Sequence, residues 1–380
     1  MNSIAKVLKD WSANLDWILI GSLVPIISFG LVTMYSFVDS SQYFTRQLLW
    51  LGASVFVFLV LSMVDLKFLR RTQVVVWLYV ISAALLLVLF IIGTATKGAQ
   101  SWLNFGSVSF QPAELSKIVL ILILAKYFSR RHIEIRNIRH IIVSGVYAAI
   151  LFLLVAAQPD FGSAIIVFLI WFGMVMVSGI SKKHLLLVFL TGAIALGGLW
   201  TFVFEDYQKD RILTFVNPLH DIQGAGYNAY QSMITVGSGQ VTGKGIGYGT
   251  QSRLKFLPEY QTDFIFAAFA EEWGFVGVLL LLGFYSVFMW RILVNAKFGA
   301  TNFEVLFGLG LTALFLSHFI IHIGMNIGLL PVTGLSLPFM SYGGTNLMVS
   351  FVSLGILMGM RRYSSVTHRD LSKNEMVGLN

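Results

Sequence analysis

Long apolar runs alternate with short polar segments along almost the whole chain. With allowance for tilt, each run is long enough to cross the hydrocarbon core of a bilayer, about 30 Å thick, as an α-helix. The ten runs lie at residues 16–36, 47–64, 74–93, 113–128, 141–158, 160–179, 184–204, 263–290, 305–326 and 345–360. This pattern predicts an all-α polytopic membrane protein with about ten transmembrane helices.

The composition agrees with a membrane protein. Hydrophobic residues make up 57% of the chain and charged residues 12%, whereas an average soluble domain has about 25% charged residues. The first apolar run is too long for the core of a signal peptide, and no small-residue cleavage site follows it. We therefore expect it to be a retained span, with no cleaved targeting segment. The chain has no cysteine, so neither a disulfide framework nor a thiolate metal site is expected.

The basic residues indicate the orientation in the membrane. A net charge of +8 would also suit a nucleic-acid-binding protein, but the Lys and Arg residues form short clusters between apolar runs. That distribution favours orientation signals and argues against nucleic acid as a partner. With the N-terminus inside, 18 of the 26 Lys and Arg residues fall in inside segments and 7 in outside segments. The positive-inside rule therefore predicts that both termini are cytoplasmic.

The segment 205–262, between the seventh and eighth runs, is the one large loop, and this orientation places it outside. It contains "GSGQVTGKGIGYG" (237–249), whose glycines let the backbone approach a ligand and whose Lys244 could meet a phosphate. A Walker A loop is not indicated, because no Ser or Thr follows the lysine and no strand precedes it. We expect residues 1–362 to form a single transmembrane domain and the polar residues 363–380 to form a disordered cytoplasmic tail.

Ionisable residues interrupt two of the apolar runs near their starts. Glu114 and Lys117 are three residues apart and therefore share one face of a helix. Either they form a neutralised pair that fixes helix packing, or they line a polar cavity. Asp160 follows Pro159 at the start of the sixth run, where it is well placed to cap that helix.

The stretch "FLPEYQTDFIFAAFAEEWG" (256–274) places four carboxylates at the edge of an apolar run, where burying a charge costs roughly 2.5 to 3.5 kcal/mol. Asp263 is expected in the first helical turn, where the macrodipole favours a carboxylate. Two interpretations of Asp263 therefore remain: its charge stabilises the start of the helix, or its carboxylate is catalytic. On a helix, Glu271 would lie within about 80° of the face of Asp263, so the two could share one cavity.

Breakers are dense in "HIGMNIGLLPVTGLSLPFMSYGGTN" (322–346), which contains two prolines and five glycines. This density predicts an irregular or re-entrant outside loop, which is tolerated at membrane depth only where it lines a cavity. His318 and His322 form an i, i+4 pair that could hold a metal. Since no acid of an HExxH motif accompanies them, packed or hydrogen-bonded histidines are the favoured interpretation.

Several motifs, in this order over nearly the whole chain, resemble one family. They are "FQPAELSK" (110–117), "QPDFG" (158–162), "RILTFVNP" (211–218) with "GAGYNAYQS" (224–232), "GSGQVTGKG" (237–245), "FLPEYQTDFIFAAFAEEWG" (256–274) and "GLLPVTGLSLPFMSYGG" (328–344). The chain resembles the SEDS family, which includes RodA, FtsW and SpoVE. "LPVTGLSLP" is more similar to RodA, because FtsW usually has a Lys in place of Thr333. The sequence departs from the family pattern at His322, where RodA-like members commonly have Asn, and at Thr345, where the motif usually ends in Ser.

The resemblance implies a ten-span peptidoglycan glycosyltransferase that polymerises lipid II on the outer face of the bacterial cytoplasmic membrane during cell elongation. It also implies a class B penicillin-binding protein, a transpeptidase, as partner within the elongation machinery. A division-specific, FtsW-like polymerase and a lipid II flippase are the alternatives, although a flippase should tolerate loss of a single acid better. A proton-coupled transporter would explain the buried charges as a relay, but it leaves the large outside loop without a purpose, and no internal repeat supports it.

By the same resemblance, the essential acid of the family falls on Asp263 and its polar intramembrane pair on Glu114 and Lys117. Sugar transfer from a lipid pyrophosphate needs one general base and no strong general acid, because the diphosphate leaves as an anion. Arg211, Lys244 and Lys117 are the cations expected to stabilise that anion. A divalent cation, Mg or Mn, held by the leaving group's oxygens would serve the same end. The candidates for substrate binding are Glu114, Lys117, Asp160, Arg211, Gln231, Lys244, Glu259 and Ser341.

Overall fold

The fold is seen in a computed structural model. It describes residues 11–13, 15–36, 41–96, 99–105, 108–130, 138–202, 209, 213, 215 and 226–377. The predicted outside loop is therefore described continuously only from residue 226 onward.

Among these residues, a long helix covers each of the ten apolar runs. Together with two shorter helices they are α1 (Trp17–Tyr35), α2 (Ser41–Met63), α3 (Thr72–Ile92), α4 (Pro112–Ser129), α5 (Ile138–Ala156), α6 (Phe161–Val177), α7 (Lys182–Phe202), α8 (Tyr227–Ser238), α9 (Thr250–Arg253), α10 (Ile265–Lys297), α11 (Asn302–Asn326) and α12 (Gly344–Val377). A 3-10 helix, Leu66–Arg70, precedes α3. Six helices, α1, α2, α3, α5, α10 and α11, are long and apolar enough to cross a membrane. The polytopic helical fold is confirmed, while the crossing of all ten helices stays a prediction.

Three short strands join α3 to α4, an addition to the all-α fold expected from the sequence. They are β1 (Thr94–Thr96), β2 (Ala99–Phe105) and β3 (Val108–Phe110), paired antiparallel in that order. Six of the 17 residues in this segment are Thr, Trp, Phe or Val, which favour a pleated and half-buried surface. The sheet is attached to the bundle because Ser101 Oγ donates to Gln158 O at 3.3 Å and Thr345 Oγ1 donates to Ser109 O at 3.0 Å.

Helix α4 forms the centre of the bundle. Fourteen of its 18 residues are buried, and they include Glu114 and Lys117. It contacts α3, α11, α6 and α5. A helix that is buried on all sides shows little amphipathic periodicity. The sequence alone therefore could not predict which neighbouring helix the charged side chains of α4 contact.

Helix α10 is broken near its start, where the sequence predicts an uninterrupted span. Gly274 has φ 65° and ψ −168°, a backbone conformation that residues with a Cβ avoid. The Gly-rich loop binds the opened backbone, with Lys244 N–H donating to Glu271 O at 2.9 Å and Phe275 N–H donating to Gln240 O at 2.9 Å. Non-helical backbone is tolerated at membrane depth where other protein groups satisfy its hydrogen bonds, and this loop supplies them.

A buried polar cluster ties three helices together at the end of the bundle where α1 begins. Asp16 caps α1 by accepting from Ile18 N–H and Leu19 N–H. Its carboxylate also accepts from Arg291 Nη2 and Asn295 Nδ2, both at 2.7 Å. Arg361, on α12, lies 3.1 Å from the same carboxylate. The cluster therefore links α1, α10 and α12 at one end.

The last helix continues to Val377, whereas the sequence predicts a disordered tail from residue 363. This segment contains neither Pro nor Gly before Gly378. Elongating an existing helix avoids the cost of nucleating a new one, so the turns beyond the membrane domain continue from the helix before them.

Candidate active site

Asp263 lies on the turn that leads into α10. Its backbone N–H donates to Glu259 O at 3.1 Å, and the same carbonyl accepts from Thr262 N–H at 3.1 Å and Phe264 N–H at 3.2 Å. The side chain of Asp263 is half-buried. The helix begins at Ile265, and Phe264 occupies the N-cap position without a capping side chain. Asp263 therefore lies before the first helical turn that the sequence predicts for it, where the influence of the macrodipole is smaller.

Asn326, at the end of α11, holds this turn in place. Its Nδ2 donates to Asp263 O at 3.0 Å, and its Oδ1 accepts from Ala267 N–H at 3.2 Å. Its own carbonyl accepts from Ser232 Oγ of α8 at 2.9 Å. The side chain is fully buried. Sequence reasoning did not single out Asn326, and the only available signal is a polar amide directly before the breaker-rich loop.

The segment 327–343 is irregular, as its prolines and glycines predict, and it reaches Asp263. A Cβ placed on Gly334 would lie 3.7 Å from Asp263 Oδ2. Ser341 Oγ donates to Thr262 O at 2.8 Å and accepts from Leu337 N–H at 2.8 Å. Ser341 therefore lies beside Asp263, and in this arrangement its hydroxyl joins the loop to the turn.

Asp160 caps α6, as its position after Pro159 predicts. Its Oδ1 accepts from Ser163 N–H at 3.0 Å, and its Oδ2 accepts from Gln111 Nε2 at 2.9 Å. The irregular loop lies against the same helix start, because a Cβ on Gly162 would come within 2.6 Å of Thr333 O. The loop thus connects the Asp160 cap to the Asp263 turn.

Glu114 and Lys117 form the pair that their spacing predicts. Lys117 Nζ lies 2.7 Å from Glu114 Oε1, and both side chains are buried. Two other helices join the pair, since Lys117 Nζ lies 3.3 Å from His318 Nε2 and Asn346 Nδ2 donates to Glu114 Oε2 at 3.1 Å. His318 Nδ1 faces Ser336 O at 3.2 Å. Because that carbonyl can only accept, Nδ1 carries the proton and Nε2 accepts from the lysine.

His322 lies one turn further along α11 and also holds the irregular loop. Its Nδ1 faces Leu335 O at 2.7 Å, and its buried Nε2 has no hydrogen-bond partner among the residues that the structure describes. Both histidines are therefore hydrogen-bonded to the loop, the interpretation favoured from the sequence. Within the part of the chain that the structure describes, no group of three or more His, Asp or Glu side chains is arranged to hold a metal, and a divalent cation stays a prediction.

Glu271 binds the Gly-rich loop and Lys244. Its Oε1 lies 2.7 Å from Lys244 Nζ and accepts from Gln251 N–H at 3.0 Å, while its Oε2 accepts from Ser252 Oγ at 3.2 Å. The side chain is fully buried. The angle between Glu271 and Asp263 that is expected for a continuous helix does not apply, because the backbone before Ile265 is not helical. Glu271 organises the loop, and its hydrogen bonds do not support a cavity shared with Asp263.

Two of the three remaining candidates lie among the described residues. Gln231 Nε2, on α8, donates to Gln251 Oε1. Glu259 has a left-handed backbone with φ 49°, and its Oε2 accepts from Thr262 Oγ1 at 3.2 Å. Arg211 lies outside the described residues. The turn before α10, the loop 327–343 and the Gly-rich loop thus bring Asp263, Glu259, Ser341, Lys244 and Gln231 to one end of the bundle.

Comparison with known proteins places this arrangement in a family. The family model for the cell cycle proteins FtsW, RodA and SpoVE matches residues 11–366. The chain is 39% identical over 300 residues to the peptidoglycan glycosyltransferase MrdB of Escherichia coli K12, covering 78% of each chain. It is 35% identical over 366 residues to the stage V sporulation protein E of Bacillus subtilis 168, covering 92% of this chain and 97% of that protein.

Two solved structures share the fold. One comes from work on the coordination of polymerization and crosslinking by a peptidoglycan synthase complex, with a TM-score of 0.80, 28% identity, and coverage of 92% of this chain and 98% of that chain. The other is the rod shape determining protein RodA of Thermus thermophilus, with a TM-score of 0.69, 28% identity, and coverage of 91% of this chain and 96% of that chain. The chain therefore belongs to the FtsW/RodA/SpoVE family of cell cycle proteins, the SEDS family.

Proposed function

We propose that this protein is a peptidoglycan glycosyltransferase that polymerises lipid II into glycan strands on the outer face of the bacterial cytoplasmic membrane. One observation carries the proposal. Asp263, a half-buried carboxylate, lies on a non-helical turn that Asn326 and the loop 327–343 hold at the end of a membrane-spanning bundle. A relative with 39% identity carries the name peptidoglycan glycosyltransferase.

In the proposed reaction Asp263 is the general base. It takes the proton of the 4-hydroxyl on the acceptor's N-acetylglucosamine as that oxygen attacks the anomeric carbon of the donor's N-acetylmuramic acid. A new glycosidic bond forms, the bond from the anomeric carbon to the pyrophosphate oxygen breaks, and the configuration inverts. The pyrophosphate leaves as an anion and needs no proton from the protein, so one carboxylate is sufficient.

The leaving pyrophosphate needs positive charge near it. Lys244 is the described cation that best meets this need, because its side chain is 28% exposed while Glu271 and Thr250 fix its position. Arg211 is proposed for the same role from its motif. Lys117 is 1% exposed and bound to Glu114, so its proposed contribution is to the field and packing of the site. A divalent cation would stabilise the same charge when bound to the pyrophosphate oxygens.

The other candidates are proposed to position the substrate. Glu259 lies in the turn that carries Asp263, and Ser341 lies in the loop 327–343 and bonds to that turn. Gln231 bonds to Gln251 on α9, the short helix that follows the Gly-rich loop. Asp160 and Glu114 are engaged in hydrogen bonds with protein groups. For these two residues the proposed role is to hold the walls of the site. The residues of the loops are proposed to contact lipid II directly.

We propose the elongation role and a class B penicillin-binding protein as partner. The similarity of "LPVTGLSLP" to RodA and the TM-score of 0.80 to a chain from a peptidoglycan synthase complex support this. Such a partner should co-purify with the protein. Full polymerase activity of this chain alone would show that the partner is not an activator.

The decisive experiment is polymerisation by the purified protein and its partner, given lipid II and resolved as glycan strands on a gel. Glycan ladders that disappear in the Asp263→Asn variant would support the polymerase. A second assay tests the flippase alternative by measuring whether lipid II crosses the bilayer of a vesicle. A flippase would move lipid II across without forming polymer. If lipid II moves across and no polymer forms under any partner condition, the proposed function is wrong.

A further inference from the structure

Exposed apolar side chains continue from the surface of α10 onto the Gly-rich loop. Helix α10 is long and apolar enough to cross a membrane, and four exposed side chains follow its break: Phe275, Val276, Leu279 and Leu280. Val241 of the loop is 62% exposed and lies directly beside them, because its carbonyl accepts from Val276 N–H at 3.1 Å. The apolar surface of the helix therefore extends onto the loop.

Two exposed tryptophans mark the inner edge of the membrane. Trp17 begins α1 and Trp290 lies near the end of α10. The ion pair between Asp16 and Arg291 holds these two helix ends at the same level. Tryptophan is enriched at the boundary between hydrocarbon and water, and the charge distribution assigns Arg291 to the inside. The two tryptophans therefore give a reference level for heights in the bilayer.

On this scale Val241 lies within the hydrocarbon core. Val276 precedes Trp290 by 14 residues, all after the break in α10, which is a rise of about 21 Å. The hydrocarbon core is about 30 Å thick, and tilt of the helix only shortens the height. Val276 and the bonded Val241 thus lie about 9 Å inside the outer edge. Gln240 and Thr242 are also exposed, which agrees with an insertion as shallow as that of interfacial segments.

The end of the loop lies at the outer boundary. Gly247 N–H donates to Glu272 Oε1 at 2.9 Å, and a Cβ on Gly247 would lie 3.9 Å from Ser36 O at the end of α1. Ser36 follows Trp17 by 19 residues, about 28 Å along a helix. Tyr248, the next residue of the loop, is 69% exposed. Tyrosine is enriched at the membrane boundary, so the residue type agrees with this height.

The backbone of the loop is satisfied by protein groups. Lys244 N–H donates to Glu271 O at 2.9 Å, Gly245 N–H donates to Glu272 O at 3.0 Å, and Gly243 N–H bonds within the loop at 2.9 Å. Gly243 has φ 79°, and a Cβ there would lie 2.1 Å from Glu272 O. Glycine therefore lets the loop lie directly against α10. Non-helical backbone paired in this way is tolerated at membrane depth.

We propose that the Gly-rich loop is a re-entrant segment inserted into the outer leaflet of the membrane. Val241 contacts lipid acyl chains, and Tyr248 lies at the level of the headgroups. Lipid is the favoured contact because Val241 continues the surface of a membrane-spanning helix. The insertion also brings Lys244, paired with Glu271, close to the level of lipid phosphates. Use of Lys244 for a lipid-linked pyrophosphate rests on the proposed function, whereas the insertion does not.

The test measures the depth of single positions in a bilayer. The chain has no cysteine, so a spin label can be attached to one introduced cysteine at a time. Labelled full-length variants are reconstituted into nanodiscs of phosphatidylglycerol and phosphatidylcholine. Power-saturation EPR then measures collisions of each label with oxygen, which partitions into hydrocarbon, and with a water-soluble nickel chelate. The variants are Val241→Cys and Tyr248→Cys in the loop, Leu280→Cys on the exposed side of α10, and Arg253→Cys on the exposed side of α9.

We expect the label at position 241 to collide more with oxygen than with the nickel chelate, as the label at position 280 does. The label at position 253 should show the reverse order, and the label at position 248 should lie between them. Nickel access at position 241 equal to that at position 253 would place the loop in water and overturn the insertion. Protection of position 241 from both reagents would show that protein covers it and would overturn lipid as the contact.

Unfolding midpoints equal to that of the parent verify that the labelled variants fold. The measurement uses no polymerisation, so a failed insertion and a failed proposed function are distinguished.

Discussion

The side-chain amide of Asn326 donates to the backbone carbonyl of Asp263, with 3.0 Å between Nδ2 and O. Its Oδ1 also accepts from Ala267 N–H at 3.2 Å. A single buried amide thus joins the end of α11 to the turn that carries the proposed base and to the first turn of α10. The position of Asp263 therefore depends on a residue 63 positions away in the sequence.

Replacing Asn326 with Leu should displace the Asp263 turn. The variant leaves the Ala267 N–H without its acceptor, which costs about 1 to 3 kcal/mol for a buried group. We expect a fall in kcat larger than any change in KM, because the base is misplaced while the substrate contacts remain. Thr312→Val, at a half-buried position of α11, is a comparison that removes a hydroxyl bonded to Gly308 O of its own helix. Loss of stability with unchanged turnover per folded molecule would contradict the positioning role.

Replacing Asp263 with Asn separates catalysis from a charge role at the helix start. The amide keeps the shape of the side chain and removes the basic carboxylate, so turnover should fall by about 10² to 10⁴. Stability and partner binding should change little, since a charge near a helix start contributes only about 0.3 to 1 kcal/mol. Thermal unfolding and glycan polymerisation are measured on the same preparation. Glu259→Gln in the same turn is the comparison, and a near-parent rate for the Asn variant would return attention to Glu259.

Glu114 and Lys117 should act as a unit. Glu114→Gln and Lys117→Met each leave a buried charge without its partner, a change that costs about 3 to 5 kcal/mol. Both single variants should lose stability and polymerisation, and the double variant should lose less than the sum. A double-mutant cycle by thermal unfolding in one detergent gives the coupling free energy. Additive losses would mean that the 2.7 Å contact between Nζ and Oε1 contributes nothing.

The break in α10 should not tolerate a side chain at Gly274. A Cβ there would lie 2.1 Å from Gly243 N, and the backbone has φ 65°. Gly274→Ala should therefore destabilise the protein by more than the roughly 1 to 3 kcal/mol of backbone strain alone. A Cβ on Gly283, in the same helix, would meet no described atom within 4 Å other than the backbone of its own helix. Gly283→Ala should leave the unfolding midpoint unchanged or raise it, and similar behaviour of the two variants would contradict the break.

The orientation can be tested with reporters fused along the chain. A reporter after residue 230 should read outside and one after residue 135 should read inside, because the basic residues gather in the inside segments. The reverse pattern would place Asp263 in the cytoplasm.

Local features of the sequence predicted the ten long helices and several interactions between residues that are close in the chain. The ten helices follow from apolar runs, because a bilayer offers no partner for backbone N–H and C=O groups and the helix satisfies them internally. The Asp160 cap follows from its position directly after Pro159 at the start of an apolar run. The Glu114–Lys117 pair follows from a spacing that places both residues on one face of a helix. The irregular loop 327–343 follows from its prolines and glycines. Each of these inferences uses residues that are close in the chain.

Tertiary structure decided which distant segments meet. Asn326 bonds to the Asp263 turn, Glu271 bonds to Lys244 and α9, and the Gly-rich loop enters the break at Gly274. A polar residue in an apolar run needs a hydrogen-bond partner, but the sequence of the chain does not say which of many loops supplies that partner. That choice depends on the packing of whole helices, which is the sum of many weak contacts between them. The sequence by itself therefore predicted the long helices and, through its family resemblance, the proposed base, and the packed bundle determined what holds that residue in position.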